Sequence, residues 1–140
     1  RRGCALRRVC GERDVRLLLD SHVALWWLDG ADDLGPESTA LIESADEVYF
    51  SAVTPWELGI KRALGKLDFP DGLVAALEEA GFDALPITAA HADLAPRLPT
   101  HHRDPFDRML VAQAQLEALR LVSADAALAP YDVGVFDPRR

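Results

Sequence analysis

Apolar positions along this chain fall into two rhythms, short continuous runs and longer stretches at helical spacing. Leu17-Leu18-Leu19 is a three-residue apolar run that stops at Asp20, and the Trp-containing segment Val23 to Leu28 follows it. A short run bounded by a polar residue predicts a buried strand, and the longer segment a helix. Pro36 to Ala45 suits a surface helix and Val48-Tyr49-Phe50-Ser51 a second strand. Thr54-Pro55-Trp56-Glu57 has the order of a helix start, with Thr as N-cap, Pro at the first helical position and Glu placed to close a capping box.

Gly65 should end that helix. Asp71 to Ala80 predicts another, with Gly81 where a C-terminal cap belongs. Ala84 to Ile87 is a short strand candidate, Thr88 to about Ala95 is weakly helical, and Leu98 to Arg103 is a polar loop. Asp104-Pro105-Phe106-Asp107 opens the clearest helix of the chain, running to about Ala118. Leu121-Val122-Ser123 and Val133 to Phe136 complete the strands. Strands alternating with helices imply a parallel sheet covered on both faces, hence an α/β fold.

Residues 1–14 (RRGCALRRVCGERD) carry neither rhythm and are expected to be an unstructured leader, with translation starting at Val15 as one explanation. The remaining length accommodates one domain, 15–138, with a real core: 49% of residues are hydrophobic, too many for a disordered chain. No apolar stretch is long enough to cross a bilayer, and the start lacks the pattern of a signal peptide. Cys4 and Cys10 lie in the leader, outside any metal or disulfide framework, so a cytoplasmic location is the expectation.

A net charge of −8 is poorly suited to holding a polyanion, unless clustered acids bind cations that then face the phosphate. The acids are placed for this. Asp20 and Asp125 follow strands, and Glu57 and Asp107 lie in first helical turns. In open parallel sheets, ligands bind beyond the carboxyl ends of strands, so acids on those ends can converge. Such a ring, free of Cys, suits Mg2+ or Mn2+, and these ions can activate water and neutralise charge in phosphodiester hydrolysis.

Structural roles compete with this one. Glu57 could simply complete the capping box with Thr54, Asp104 could cap its helix, and Asp107 could interact with the helix dipole. Asp20 is harder to explain away, because a carboxylate ending a leucine strand needs strong donors or a cation if it is buried. Trp26, Trp27 and Trp56 suit core or dimer-interface packing better than base stacking, and Met109, Leu110 and Leu116 suit the core.

Read in order, the blocks are Leu17-Leu18-Leu19-Asp20-Ser21-His22 with Trp26-Trp27-Leu28; Ser51 to Leu58 (SAVTPWEL) with Lys61 and Gly65-Lys66-Leu67; His101 to Ala114 (HHRDPFDRMLVAQA); and Leu121-Val122-Ser123-Ala124-Asp125. This succession, from about Val15 to Phe136, resembles the VapC-type PIN-domain ribonucleases, toxins of bacterial type II toxin-antitoxin pairs. The resemblance implies a PIN-like three-layer fold, a central parallel sheet covered by helices. It further implies a Mg2+- or Mn2+-dependent endoribonuclease, a homodimer, and inhibition by a cognate antitoxin protein.

Carried onto this sequence, the resemblance assigns catalytic roles to Asp20, Glu57, Asp107 and Asp125. Asp20 and Asp107 would bind the principal metal, Asp125 would support it, and Glu57 would orient water. Asp104 is either a further ligand or only a cap. Ser21 and Ser123 stand where the family commonly has Thr beside the metal, preserving the hydroxyl. Arg103, Arg108 and Lys61, with Arg62, His101 and His102, are candidates for RNA phosphate contacts. A metal site at the His pair is disfavoured, because neighbouring loop residues lack ligand spacing. A haloacid-dehalogenase-like phosphatase would need a second acid where His22 stands. The remaining alternative is a PIN-fold module that binds RNA or a partner without turnover.

Overall fold

The structure, a computed structural model, describes residues 15–140, so the expected leader, with Cys4 and Cys10, lies outside the described residues. The strands are β1 Arg16–Leu19, β2 Glu47–Ser51, β3 Asp83–Leu85, β4 Arg120–Val122 and β5 Val135–Phe136. The helices among the described residues are α1 Ser21–Asp29, α2 Pro36–Ser44, α3 Val53–Ala63, α4 Leu73–Glu79, α5 Ala89–Leu94 and α6 Pro105–Glu117. Short 3-10 turns follow at Ala95–Arg97 and Ala126–Leu128.

The five strands among the described residues pair in parallel, in the order β3-β2-β1-β4-β5. The chain builds outward from β1 to β3, then returns to place β4 on the other side of β1. Strand order therefore reverses between β1 and β4, and the crevice beyond their carboxyl ends is where such sheets bind ligands.

Alternation along β1 divides the interior into two cores, as a pleated strand covered on both faces requires. Leu18 joins Leu110, Val111, Ala114 and Leu121 beneath α5 and α6. Leu17 and Leu19 instead meet Val23, Ile42, Phe50 and Leu77 beneath α1, α2 and α4. The result is the three-layer arrangement expected from the alternation of elements.

Some local expectations are corrected. Thr54 is not a cap: α3 begins at Val53, whose amide is received by Ser51 Oγ at 3.0 Å, leaving Thr54 buried inside the helix. Glu57 is thereby released from a capping box. Gly81 does follow α4 as expected, with φ 94° and the Phe82 amide closing onto the Leu77 carbonyl. Trp27 packs on Phe82, with ring centroids 5.6 Å apart, whereas Leu116, 48% exposed, lies outside the expected core, and Trp56, 62% exposed, keeps only the interface alternative. Helical spacing identifies an apolar face but not what covers it.

Candidate functional site

Each acid arrives at the crevice for a local reason. Asp20 is the N-cap of α1: its Oδ1 accepts from the Val23 amide at 3.0 Å, satisfying one of the free donors at a helix start. Its Oδ2 accepts from Ser123 Oγ at 2.6 Å, across the β1–β4 crevice. Asp125 caps the following 3-10 turn through the Ala127 amide at 2.9 Å. Asp104 caps α6 through the Phe106 amide at 2.8 Å and, more weakly, the Asp107 amide at 3.4 Å.

Glu57 reaches inward from α3. Its Oε1 accepts from Ser21 Oγ at 2.7 Å, and its Oε2 pairs with Lys61 Nζ at 2.8 Å, one helical turn on. Thr54 Oγ1 lies 3.2 Å from Ser21 Oγ, so these two hydroxyls tie α3 to α1. Asp20, Glu57, Asp107 and Asp125 thus line one pocket of about 500 Å3, together with Asp104, Lys61, His22, Trp26 and His102.

The charge in this pocket is under-compensated. Burial pushes the Asp107 carboxyl up to about 7, with the charges of Asp104, Glu57 and Asp20 adding to the effect while His102 opposes it. Burial also raises Asp20, against the lowering bonds from Ser123 and Val23. Asp125 differs: burial is outweighed by the Ala127 amide and the His102 ring, which hold it below the ordinary carboxylate value. The hydrogen bond to Glu57 raises Lys61, with the charges of Glu57, Asp104 and Asp107 adding to it against burial.

Carboxylates packed until one binds its proton near neutrality are a poor structural arrangement and a good cation site. The donor set is hard oxygen, as Mg2+ and Mn2+ prefer, and Ser21 and Ser123 secure its carboxylates by hydrogen bonds. The residues present therefore fit a divalent ion.

The expected phosphate contacts are placed unevenly. Arg103 is exposed and lines an apolar groove of about 630 Å3 beside the pocket, formed with Trp56, Ile87, Phe106 and Met109. Lys61 does line the acidic pocket, paired with Glu57. Arg108 points elsewhere: its guanidinium donates to the carbonyls of Pro96, Leu98, Pro99 and His102 at 2.8–3.2 Å, clasping the loop before α6. Arg62 is similarly engaged, with the Phe69 carbonyl and Asp71.

His102 carries more of the site than its sequence setting suggests. Its Nε2 lies 2.6 Å from Asp125 Oδ2 and 3.2 Å from Asp107 Oδ2. The His pair stands out in the sequence as a candidate for phosphate contacts, but no periodicity shows that His102 turns its ring onto Asp125 and Asp107.

A family model described as PIN domain matches residues 17–133. Ribonuclease VapC22 of Mycobacterium tuberculosis is 33% identical over 120 residues, which cover 80% of this chain and 88% of that protein. Among solved structures, a toxin-antitoxin complex from Klebsiella pneumoniae matches with a TM-score of 0.63 at 18% identity, covering 87% of this chain and 97% of that one. VapBC2 from Rickettsia felis, bound to a DNA fragment from its promoter, matches with a TM-score of 0.65 at 12% identity, covering 87% and 98%. These structural likenesses carry the fold, while the family model and the VapC22 identity carry the kinship: the chain belongs to the PIN-domain family, in its VapC type.

Proposed function

We propose that the protein is a divalent-metal-dependent endoribonuclease acting as the toxin of a toxin-antitoxin pair. The observation that supports this most is the convergence of Asp20, Glu57, Asp107 and Asp125, from four separate stretches of chain, on one pocket whose charge calls for a cation. Asp20, Asp107 and Asp125 would hold Mg2+ or Mn2+, with Asp104 adding its charge from the cap of α6. When bound, the ion would supply charge neutralisation at the phosphate and a lowered pKa for the attacking water.

The chain's own residues divide the rest of the work. Glu57, held by Ser21 and Lys61, orients a water towards the phosphorus and receives its proton on a carboxylate oxygen. Ser123 fixes Asp20, so that this carboxylate is already oriented before substrate arrives. Lys61 and the exposed Arg103 are the proposed phosphate contacts; Arg108 serves the loop.

An antitoxin partner is supported by the toxin-antitoxin complexes among the structural relatives. A second copy of the chain suits the exposed stripe of Trp56 and Ile60 on α3 and Leu64 at its C-cap, spaced four residues apart. Among the described residues no helix is long and apolar enough to cross a membrane.

The test is cleavage of structured RNAs with and without Mg2+ or Mn2+, beside an Asp20→Asn variant. Cleavage should require the ion and vanish in the variant. RNA binding by the wild type without any metal-dependent cleavage would favour the binding-module alternative. Identical cuts by the variant would place the chemistry elsewhere.

A further inference from the structure

The imidazole of His102 is fixed at both ring nitrogens and through its backbone. The His102 amide donates to Tyr131 Oη at 2.9 Å, and that hydroxyl in turn donates to the Pro99 carbonyl at 2.8 Å. The His102 carbonyl accepts from Arg108 Nη1 at 3.0 Å. On the ring, Nδ1 accepts from the Asp104 amide at 3.0 Å, while Nε2 faces Asp125 and Asp107.

These contacts determine where the ring proton sits. A backbone amide can only donate, so Nδ1 must present its lone pair to Asp104 N–H, and the proton of a neutral ring is then on Nε2. Nε2, Asp107 Oδ2 and Asp125 Oδ2 offer ligand atoms all within 4.8 Å of one another, which by distance alone would suit a three-ligand metal site. The tautomer argues otherwise. For Nε2 to ligate a cation its proton would have to move to Nδ1, where it would confront the Asp104 amide donor across 3.0 Å.

We infer that His102 is a positioning residue and not a metal ligand: its Nε2–H holds Asp125 and Asp107 in place beside the ion that the two carboxylates share. This rests on the reading of the pocket as a divalent-metal site. Arg108 and Tyr131 belong to the same device, since they fix the loop from which the ring projects. Hydrogen-bond partners of ligating carboxylates affect metal affinity without touching the metal.

The experiment is Mn2+ binding to the full chain, with pulsed electron paramagnetic resonance to detect directly coordinated nitrogen. Wild type should bind Mn2+ with no directly bound 14N signal. His102→Ala should weaken binding by about 10- to 100-fold. His102→Gln, whose amide N–H reaches towards the same carboxylates, should retain most of the affinity and guard against a folding defect in the alanine variant. A coordinated-nitrogen signal that disappears in His102→Gln would overturn the inference while leaving the metal site intact. Unchanged affinity in His102→Ala would overturn it as well. Failure of wild type to bind Mn2+ at all would remove the metal-site reading itself, and this inference with it.

Discussion

Ser123 Oγ donates to Asp20 Oδ2 at 2.6 Å while accepting from the Asp125 amide at 3.1 Å, so one hydroxyl secures two site acids across the β1–β4 crevice. Ser123→Ala leaves a buried carboxylate oxygen and a backbone amide short of a partner. The expected loss is about 1–3 kcal/mol of stability, measured as a lower urea midpoint at unchanged slope. Ser123→Thr keeps the hydroxyl and should remain within about 1 kcal/mol of wild type. An alanine variant as stable as the parent would mean that the bond is incidental.

Asp107 contributes to the pH response of the metal-free protein near neutrality. Its carboxyl titrates near the ordinary 3.8 when unfolded but at about 7 when folded. Between those values the folded chain holds a proton that the unfolded chain has released. Its contribution to stability is therefore fully present at the acid end of the window and is lost as pH rises through 7. With EDTA present, this group lowers the melting temperature between pH 5 and 7.5, and Asp107→Asn should flatten that fall. Mn2+ should raise the melting temperature most at the upper end, where the carboxylate is free to bind it. A wild-type profile matching that of Asp107→Asn at every pH would contradict this account.

Arg108 should be irreplaceable by lysine. Its planar fork meets four carbonyls between Pro96 and His102, an arrangement that a single ammonium cannot reproduce. Arg108→Lys is expected to increase amide hydrogen exchange across residues 96–102 and to weaken Mn2+ binding through the displaced His102. Exchange rates identical to wild type would show that Tyr131 alone holds the loop.

Gly35 tolerates no side chain for a reason unrelated to chemistry at the site. A Cβ there would lie 2.1 Å from the Arg140 carbonyl carbon, because residues 138–140 pack over the start of α2, where the Gly35 amide donates to the Pro138 carbonyl and the Glu37 amide to the Arg140 carbonyl. Gly35→Ala should destabilise the full chain by about 1–3 kcal/mol, the range for overpacking. Removing residues 139 and 140 should abolish most of that difference. A penalty that survives the truncation would have to originate in α2 itself.

Much of this was legible in the sequence because it depends on local pattern. The Leu17–Leu19 run, the Asp-Pro start of α6 and the alternation of elements follow from periodicity and capping, and acids at strand ends converge once the sheet is parallel. Position in a first helical turn directs Glu57 to the pocket, but the Thr-Pro pair misleads as a helix start, since Ser51 captures the first amide of α3 and the helix begins earlier. The Arg108 clasp and the His102 bridge could not be read in this way. Each is defined by partners brought together only by the fold: Tyr131, Asp125 and the carbonyls of an irregular loop. Helical spacing does not separate Leu116 from core residues or decide between core and interface for Trp56, since exposure depends on which neighbours stop short of them.

The late return of β4 to the side of β1 also governs when the pocket can exist. Asp20 leaves the ribosome first, and Ser123 and Asp125 emerge more than a hundred residues after it. No nascent or prematurely terminated chain shorter than that carries an assembled pocket. A cell making this protein therefore faces a complete acidic centre only once synthesis has passed Asp125.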